Sequence, residues 1–207
     1  MASTQEIYLI RHGETEQNRN NIIQGRGIDS VLNETGIRQA WAFYEHYKHL
    51  DFDHILTSTL QRTQQTVGPF LQNGYNHTAH WQLDEINWGY HEGKAPTPML
   101  TEEYKMLLDS WRAGQLHLSI PQGESPLDLQ NRQLDFIENI LPQYEGRILI
   151  CTHGRAMRIM LCTLLQNNLC LMDDFPHKNL SLYIVKGNGN GRYELAGFNL
   201  LDHLKNI

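Results

Sequence analysis

The chain lacks several features that mark large classes of protein. It has no basic excess, since 17 Lys and Arg stand against 23 Asp and Glu, for a formal net charge of −6. Nucleic-acid binders are more often basic, so we expect no nucleic-acid partner. Cysteine is scarce, with three residues in a chain of 207. Because the number is odd and the chain is not small, we do not expect a disulfide scaffold. Cys151 lies in an apolar run and is predicted to be a buried, unreactive thiol.

The chain also lacks a long hydrophobic run. No apolar segment is long enough to span a membrane, and no cationic-then-apolar signal stands at the N-terminus. We therefore expect a cytoplasmic protein with no membrane partner. Hydrophobic residues make up 40% and charged residues 19%, which is typical of a globular chain. The length fits one domain, over residues 1–207.

What the sequence does contain is an alternation of apolar runs with stretches of helical period. EIYLIRHG, FDHILTS, HWQLDEI and RILICTHG predict strands, whereas GIRQAWAFYEHYKHL, LQRTQQTVGPFLQ, SPLDLQNRQLDFIENILPQY and RAMRIMLCTLLQ predict helices. This alternation is typical of a mostly parallel sheet with helices on both faces, a three-layer α/β/α sandwich. Towards the C-terminus, LSLYIV and YELAGFNL flank KGNGNGR, which predicts an antiparallel pair at or near one edge.

The pattern weakens over about residues 87–122. This part contains Pro96, Pro98 and the helical stretch TEEYKMLLDSW. We interpret it as a long excursion of the same domain that could cap a pocket. Its aromatic side chains could line that pocket or simply pack.

Three predicted strands are followed by residues suited to binding an anion. The first ends in RHG, with Arg11 and His12, and the strand near the C-terminus ends in THG, with His153. Arg62 lies in the helix that follows the strand ending TS. In open parallel α/β sheets, ligands bind outside the carboxyl ends of the strands, so these side chains should meet. A single His after a strand is more often a plain turn residue, but the repeated His-Gly with two arginines favours a phosphate site.

These motifs resemble those of the histidine phosphatase superfamily, which has the phosphoglycerate mutase-like fold. RHGETEQN, TSTLQRTQQT and CTHGRAMR are similar to its three main signatures, and LDEINWGYHEG and QGESPLDLQNR to two intermediate motifs. NLSLYIV and FNLLDHL also fit. The resemblance covers nearly the whole chain, in the right order.

The resemblance implies a role for each matching residue. His12 would be the nucleophile that becomes phosphorylated, and Arg11, Arg62 and His153 would hold the phosphoryl oxygens. Glu85 would be the general acid for the leaving group and then the base that activates water. No metal and no cofactor are implied, because cationic side chains supply the positive charge. Further substrate contacts are expected from Asn18, Gln24, Gly25 and Arg155.

Several points stay open at the level of the sequence. Arg155 could bind a second acidic group of the substrate or face solvent. Asp84 should point to the opposite face of a strand from Glu85, so Glu85 is preferred as the acid and Glu92 is the second choice.

The expectation is therefore a metal-independent phosphomonoesterase that acts through a phosphohistidine on a small phosphorylated metabolite. A phosphoglycerate mutase is the alternative, but mutases of this family usually carry Glu-Arg-His-Tyr where this chain has Glu85-Ile86-Asn87-Trp88. We find no counterpart here of the basic Arg-Arg pair of the mutase insertion. A catalytically inactive module that binds phosphorylated ligands is the other alternative, although the five expected catalytic residues are all present. The substrate and the oligomeric state cannot be read from the sequence.

Overall fold

A computed structural model of the chain describes residues 5–188, 191–205 and 207. Within them, one sheet contains β1 Gln5–Arg11, β2 His54–Thr57, β3 His77–Ala79, β4 Gly146–Thr152, β5 Leu182–Gly187 and β6 Tyr193–Leu200. The strand order is β3-β2-β4-β1-β5-β6. The first four strands of that order pair in parallel, whereas β5 pairs antiparallel with both β1 and β6. The prediction of a mostly parallel sheet with an antiparallel edge is confirmed.

The helices fill the connections between the strands. They are α1 Glu16–Arg19, α2 Glu34–Tyr47, α3 Gln61–Gln72, α4 Pro98–Arg112, α5 Pro126–Asp135 and α6 Gly154–Leu164. A π-helical turn, Phe136–Ile140, continues α5, and 3₁₀ turns occur at Trp81–Leu83, Gly89–His91, Leu141–Gln143, Leu169–Asp174 and Asp202–Leu204.

Strand β1 shows why the sheet carries helices on both faces. Ile7 and Leu9 belong to the core cluster that includes residues of α5 and α6. Tyr8 and Ile10 belong to the opposite cluster, with residues of α2 and α3. Successive side chains of a strand point to opposite faces, so a continuous apolar run requires cover on both sides. The three-layer α/β/α sandwich follows from this pattern.

The predicted strand HWQLDEI is wrong. The third strand lies earlier, at His77–Ala79, and Trp81–Leu83 forms a 3₁₀ turn. Strand β2 ends at Thr57, whose partner in β3 is Ala79, so the chain has no strand to pair with beyond that point. The residues from 82 to 86 are all buried, which a half-exposed edge strand does not allow.

The centre of the predicted hairpin turn, residues 189–190, lies outside the described residues. Cys151 is buried and free, and burial raises the pKa of its thiol, as expected of an unreactive cysteine. In the part of the chain that the structure describes, no helix combines the length and apolar character needed to cross a membrane.

Candidate active site

The register of β1 and β4 brings the two predicted histidines together. Arg11 is paired with Thr152, so the residues that follow each strand are neighbours. The backbone N–H of His12 donates to the carbonyl of Thr152 at 3.0 Å. The ring centroids of His12 and His153 are 5.1 Å apart, and both side chains are buried. Two sequence-distant His-Gly dipeptides therefore meet at the carboxyl edge of the sheet.

The hydrogen bonding of His12 determines which ring nitrogen is free. Its Nδ1 lies 2.7 Å from the carbonyl oxygen of Gly13. A carbonyl only accepts, so Nδ1 carries the proton and Nε2 keeps its lone pair. Burial lowers the pKa of His12 well below its ordinary value, and Arg62 and Arg11 lower it further. The ring is therefore neutral near neutral pH, with a nucleophilic Nε2.

Arg62 and His153 form a buried pair. Nε of Arg62 donates to Nδ1 of His153 at 3.2 Å, while Nη1 and Nη2 donate to the carbonyls of Ile28 and Gly25 at 2.6 and 3.2 Å. Because Nδ1 of His153 accepts, its Nε2 carries the proton and donates to Oγ of Ser58 at 2.8 Å. These bonds use three of the five N–H groups of the guanidinium, and two remain.

A cavity of about 240 Å³ opens in front of His12. Of the predicted site residues, those lining it are Arg11, His12, Asn18, Gln24, Glu85 and Arg155. Arg62, His153 and Gly25 are not among the described residues that line it, and a Cβ on Gly25 would lie 1.8 Å from Oε1 of Glu92. A second cavity of about 510 Å³ shares Arg11, Asn18, Ile22, Ile23 and Tyr104 with the first.

Arg11 lies at the wall between the two cavities. Its Nη1 donates to Nδ1 of His177 at 3.2 Å. Burial lowers the pKa of Arg11 to about 10, so the side chain stays charged at neutral pH. Its Nε is buried and has no hydrogen-bond partner among the described residues. A buried donor of this kind is costly unless a ligand accepts from it.

The backbone holds the carboxylate of Glu85 in one orientation. Oε1 accepts from the N–H groups of Ile86 and Ala156 at 3.0 and 2.9 Å, and Oε2 accepts from that of Arg155 at 3.1 Å. Two of these donors lie in the first turn of α6, where the helix dipole favours a negative charge. The carboxylate is thus fixed at the cavity wall.

Arg132 holds the loop that carries Glu85. Its Nη2 donates to the carbonyl of Glu85 at 2.9 Å, and its Nη1 to that of Gln82 at 2.8 Å. Arg132 is in turn paired with Glu124, with Nε 3.0 Å from Oε1. The loop is therefore anchored to α5 even though it is not a strand.

The other two candidate carboxylates bind elsewhere. Oδ1 of Asp84 accepts from the N–H and the Oγ1 of Thr59, at 2.9 and 2.8 Å. Oε1 of Glu92 accepts from the N–H of Trp88 at 2.9 Å, and burial raises the pKa of Glu92. Neither is among the described residues lining the cavity of His12. Asp84 and Glu85 do point to different partners, but strand alternation is the wrong reason, because this segment is not a strand.

Asn18 and Gln24 reach the cavity from the loop after β1. Oδ1 of Asn18 accepts from the N–H of Thr15 at 3.3 Å and from Nδ2 of Asn179 at 3.1 Å. Both bonds use the amide oxygen, so the Nδ2 group of Asn18 is the part suited to donating to a ligand. Nε2 of Gln24 donates to Oγ1 of Thr15 at 2.8 Å.

Sequence reasoning missed the residues that precede β5. Asn179 donates from Nδ2 to the carbonyl of His12 at 3.0 Å, and His177 binds Arg11. A Cβ on Gly154 would lie 2.7 Å from Cε1 of His177, so the glycine of the THG motif makes room for this ring. The sequence carried a signal for these residues. A strand that pairs antiparallel with β1 begins beside the carboxyl end of β1, so the residues just before it lie near the site.

Arg155 faces the cavity and not the solvent. Its residue is 4% exposed, which excludes the solvent-facing alternative. Nη1 lies 2.8 Å from Oδ1 of Asp173. Arg158, which sequence reasoning also missed, lines the same cavity one turn further along α6.

The chain is similar to known proteins over most of its length. The family model for the histidine phosphatase superfamily (branch 1) matches residues 7–200. The protein named probable phosphoglycerate mutase GpmB of Yersinia pestis (strain Pestoides F) is 35% identical over 162 residues, 77% of this chain and 74% of that protein.

Two solved structures are also similar. Bacillus stearothermophilus YhfR is 26% identical, with a TM-score of 0.82 over 97% of this chain and 100% of that chain. The phosphoserine phosphatase of Entamoeba histolytica, solved in complex with 3-phosphoglyceric acid, is 25% identical. Its TM-score is 0.82, over 97% of this chain and 99% of that chain.

Proposed function

The chain belongs to the histidine phosphatase superfamily, and from this membership and the geometry of the cavity we propose a phosphomonoesterase that works through a phosphohistidine. The superfamily and the phosphatases of similar fold support a phosphoric monoester hydrolase. One observation carries the mechanism: a neutral His12 with a free Nε2 and the fixed carboxylate of Glu85 line the same small cavity.

In the first step, Nε2 of His12 attacks the phosphorus atom of the substrate. The N–P bond forms while the bond from phosphorus to the leaving oxygen breaks. Glu85 gives its proton to that oxygen from Oε2, which accepts one backbone N–H bond where Oε1 accepts two and so keeps a position for a proton. Arg11 donates to the phosphoryl oxygens, and its buried Nε gains the partner that the described residues do not supply.

In the second step, water takes the place of the leaving group. Glu85 removes a proton from the water as the new oxygen–phosphorus bond forms. The N–P bond breaks, its electron pair returns to Nε2 of His12, and inorganic phosphate leaves. The hydrogen bond from Nδ1 to Gly13 holds the ring in the same tautomer throughout.

The positive charge for both steps comes from side chains in this proposal. Arg62, with two N–H groups not used by protein partners, adds positive charge next to His12, and the neutral His153 orients that guanidinium by accepting from its Nε. Arg11 and Arg62 together do the electrostatic work that a metal ion does elsewhere, so the proposal needs neither metal nor cofactor.

The excursion over residues 87–122 is proposed to cap the cavity. Trp88 and Tyr104 line it, and their rings lie 5.1 Å apart between centroids. They would shield the phosphohistidine from solvent on the side of the cavity that faces α4. A cytoplasmic location stays a prediction.

A phosphoglycerate mutase is the second candidate, favoured by two observations. The relative that is 35% identical carries that name. Arg155 and Arg158 line the cavity and supply cationic groups suited to the carboxylate of a glycerate acceptor. Against it, the buried and apolar Ile86 supplies no charge at the position where mutases carry Arg, and Trp88 supplies no hydroxyl where they carry Tyr.

Turnover in chelator tests the proposal. The protein should release phosphate from p-nitrophenyl phosphate in the presence of EDTA, and vanadate should inhibit by occupying the phosphoryl position. Loss of activity in EDTA that added magnesium or zinc restores would overturn the metal-independent mechanism. Interconversion of 3- and 2-phosphoglycerate with little phosphate release would favour the mutase. If the protein hydrolyses no ester, the alternative of an inactive module that binds phosphorylated ligands would be favoured.

A further inference from the structure

The cavity has a second cationic end that the proposed hydrolysis does not use. Arg155 and Arg158 lie on the same side of α6 and both line the cavity of His12. Arg155 is 4% exposed, and the side chain of Arg158 is 19% exposed. Two largely buried arginines at one wall are costly unless their charge is compensated.

Their positions are fixed by side-chain contacts. Nη1 of each arginine lies close to Oδ1 of Asp173, at 2.8 Å for Arg155 and 2.6 Å for Arg158. The guanidinium carbon of Arg155 lies 5.3 Å from the ring centroid of Trp111, a cation–π contact. Nε of Arg158 donates to the carbonyl of Phe175 at 2.9 Å. Neither side chain is free to swing out of the cavity wall.

The protein does not neutralise this cluster. Asp173 is shared with a third arginine, since Nη2 of Arg112 lies 3.1 Å from its Oδ2. Nη1 of Arg112 also lies 2.9 Å from Oδ1 of Asp109, so three arginines share two carboxylates, which leaves a net charge of one positive unit. Burial and the neighbouring Arg155 both lower the pKa of Arg158, as expected of an undercompensated cation.

The remaining cavity wall offers little further compensation. Glu85 is the one acidic residue among the described residues lining the cavity, and three backbone N–H groups already hold its carboxylate. His177 lies beside the arginines and stays neutral, because burial and then Arg11 and Arg158 lower its pKa to about 2. The guanidinium N–H groups not used by protein partners are thus available to an anion.

We infer that Arg155 and Arg158 form a subsite for a second anionic group of the substrate, a carboxylate or a phosphate. The inference rests on the proposed function, because it places the scissile phosphoryl group at His12. Both ends share one cavity of about 240 Å³, below the usual range for drug-sized ligands, so the two anionic groups are joined by a short linker.

Competition against a chromogenic ester measures this recognition without assuming how the competitor reacts. The probes are 3-phosphoglycerate, propane-1,3-diol bisphosphate and glycerol 3-phosphate, of which the last lacks the second anion. The inhibition constant of at least one doubly anionic probe should be about tenfold or more below that of glycerol 3-phosphate, the gain expected of charge-assisted bonds to guanidinium. Which of the two probes binds better identifies the second group as carboxylate or phosphate.

A matched pair of variants assigns the preference to the cavity arginines. Arg158→Gln should reduce it about tenfold, because it removes a charged donor from the wall. Arg112→Gln should retain it to within about threefold, since Arg112 contacts the same Asp173 but its side chain is 53% exposed. Melting curves establish that both variants are folded, and Arg155→Gln replaces Arg158→Gln if the latter is not.

Equal inhibition constants for all three probes in the wild type would overturn the subsite, as would an equal loss in Arg158→Gln and Arg112→Gln. These outcomes leave the proposed function standing as long as the chromogenic ester is hydrolysed. If that ester is not hydrolysed, the proposed function fails. Calorimetric binding of the same probes then decides the subsite separately, and equal affinities would overturn it.

Discussion

The two ends of the cavity are held by different kinds of bonds. At the phosphoryl end, His12 donates to the backbone carbonyl of Gly13, and Glu85 accepts from three backbone N–H groups. At the other end, Arg155 and Arg158 are held by the side chain of Asp173. The phosphoryl end is thus fixed largely by the fold itself, whereas the distal end depends on a few side chains from separate elements.

This difference indicates which end of the cavity can be altered by substitution and which must stay fixed. Groups held by backbone at strand and helix ends keep their positions as long as the sheet is intact, which suits chemistry that needs fixed geometry. Groups held by side-chain ion pairs can be exchanged by single substitutions. A fold of this design can therefore change the second group that it recognises and keep the same phosphoryl transfer.

The largest effect is expected at the phosphoryl end, from His12→Ala. The variant removes the atom that bonds to phosphorus in both steps, so turnover should fall by several orders of magnitude. Steady-state hydrolysis of p-nitrophenyl phosphate measures it. His49→Ala, at an exposed histidine, is the matched control and should keep wild-type turnover. Retention of more than about a tenth of the rate in His12→Ala would show that His12 is not the nucleophile.

The next largest effect should come from Glu85→Gln and depend on the leaving group. The amide keeps the shape, and its oxygen can still accept from Ile86 and Ala156, but its NH2 group cannot accept from the N–H of Arg155 and cannot give up a proton to the leaving oxygen. We expect a loss of about 10²- to 10⁴-fold for alkyl phosphates, and a much smaller loss for p-nitrophenyl phosphate, whose leaving group needs little acid.

Glu92→Gln is the control for Glu85→Gln, because Glu92 is the second-choice acid and its carboxylate binds the backbone of Trp88. It should not change the ratio between the two ester classes. The comparison requires that phosphorylation of the enzyme limits the rate. An equal loss on both classes in Glu85→Gln would remove Glu85 from the role of acid.

The contrast between the two ends also explains what could be read from the sequence. Arg11, His12 and His153 follow strands whose apolar runs are unmistakable, and parallel strands bring their carboxyl ends to one edge. The fold and this part of the site were therefore predictable. His177 and Asn179 precede β5, and the antiparallel pairing of β5 with β1 brings them to the same edge.

The distal end could not be derived in the same way. Arg158, Asp173 and Trp111 come from three elements, and their meeting depends on how α4 and the turn at Leu169–Asp174 pack against α6. No periodicity encodes that packing. The environment of Glu85 was missed for a related reason, since a buried loop held by Arg132 has no pattern of its own.

The smallest effect, on stability, should separate the two ends by pH. At the phosphoryl end, burial lowers the pKa of His12, His153 and His177 below the ordinary value of 6.5, and nearby arginines lower it further. Below about pH 6.5 the unfolded chain binds protons that the native state does not, so stability falls as pH falls from there. Each such histidine contributes up to about 1.4 kcal/mol per pH unit.

At the distal end the sign is the same but the window is lower. Burial raises the pKa of Asp173, yet Arg155 and the other arginines outweigh it and hold that pKa below the ordinary value of 3.8. Its contribution is therefore intact above about pH 4 and is lost only as pH falls below it. Between pH 6.5 and 4.5 the loss of stability should come from these histidines together with His80 and His203, whose pKa values burial also lowers.

Urea unfolding at about pH 7.5, 6.5, 5.5 and 4.5 measures this separation, since the free energy of unfolding is obtained at each pH by linear extrapolation. His177→Asn should reduce the slope between pH 6.5 and 4.5 by up to about 1.4 kcal/mol per pH unit, because it removes one group that takes up a proton on unfolding. Asp173→Asn is the matched variant: it should lower stability at every pH and leave that slope unchanged. If Asp173→Asn flattened the slope and His177→Asn did not, the acid sensitivity would belong to the arginine cluster, and the assignment of neutral histidines to the phosphoryl end would be wrong.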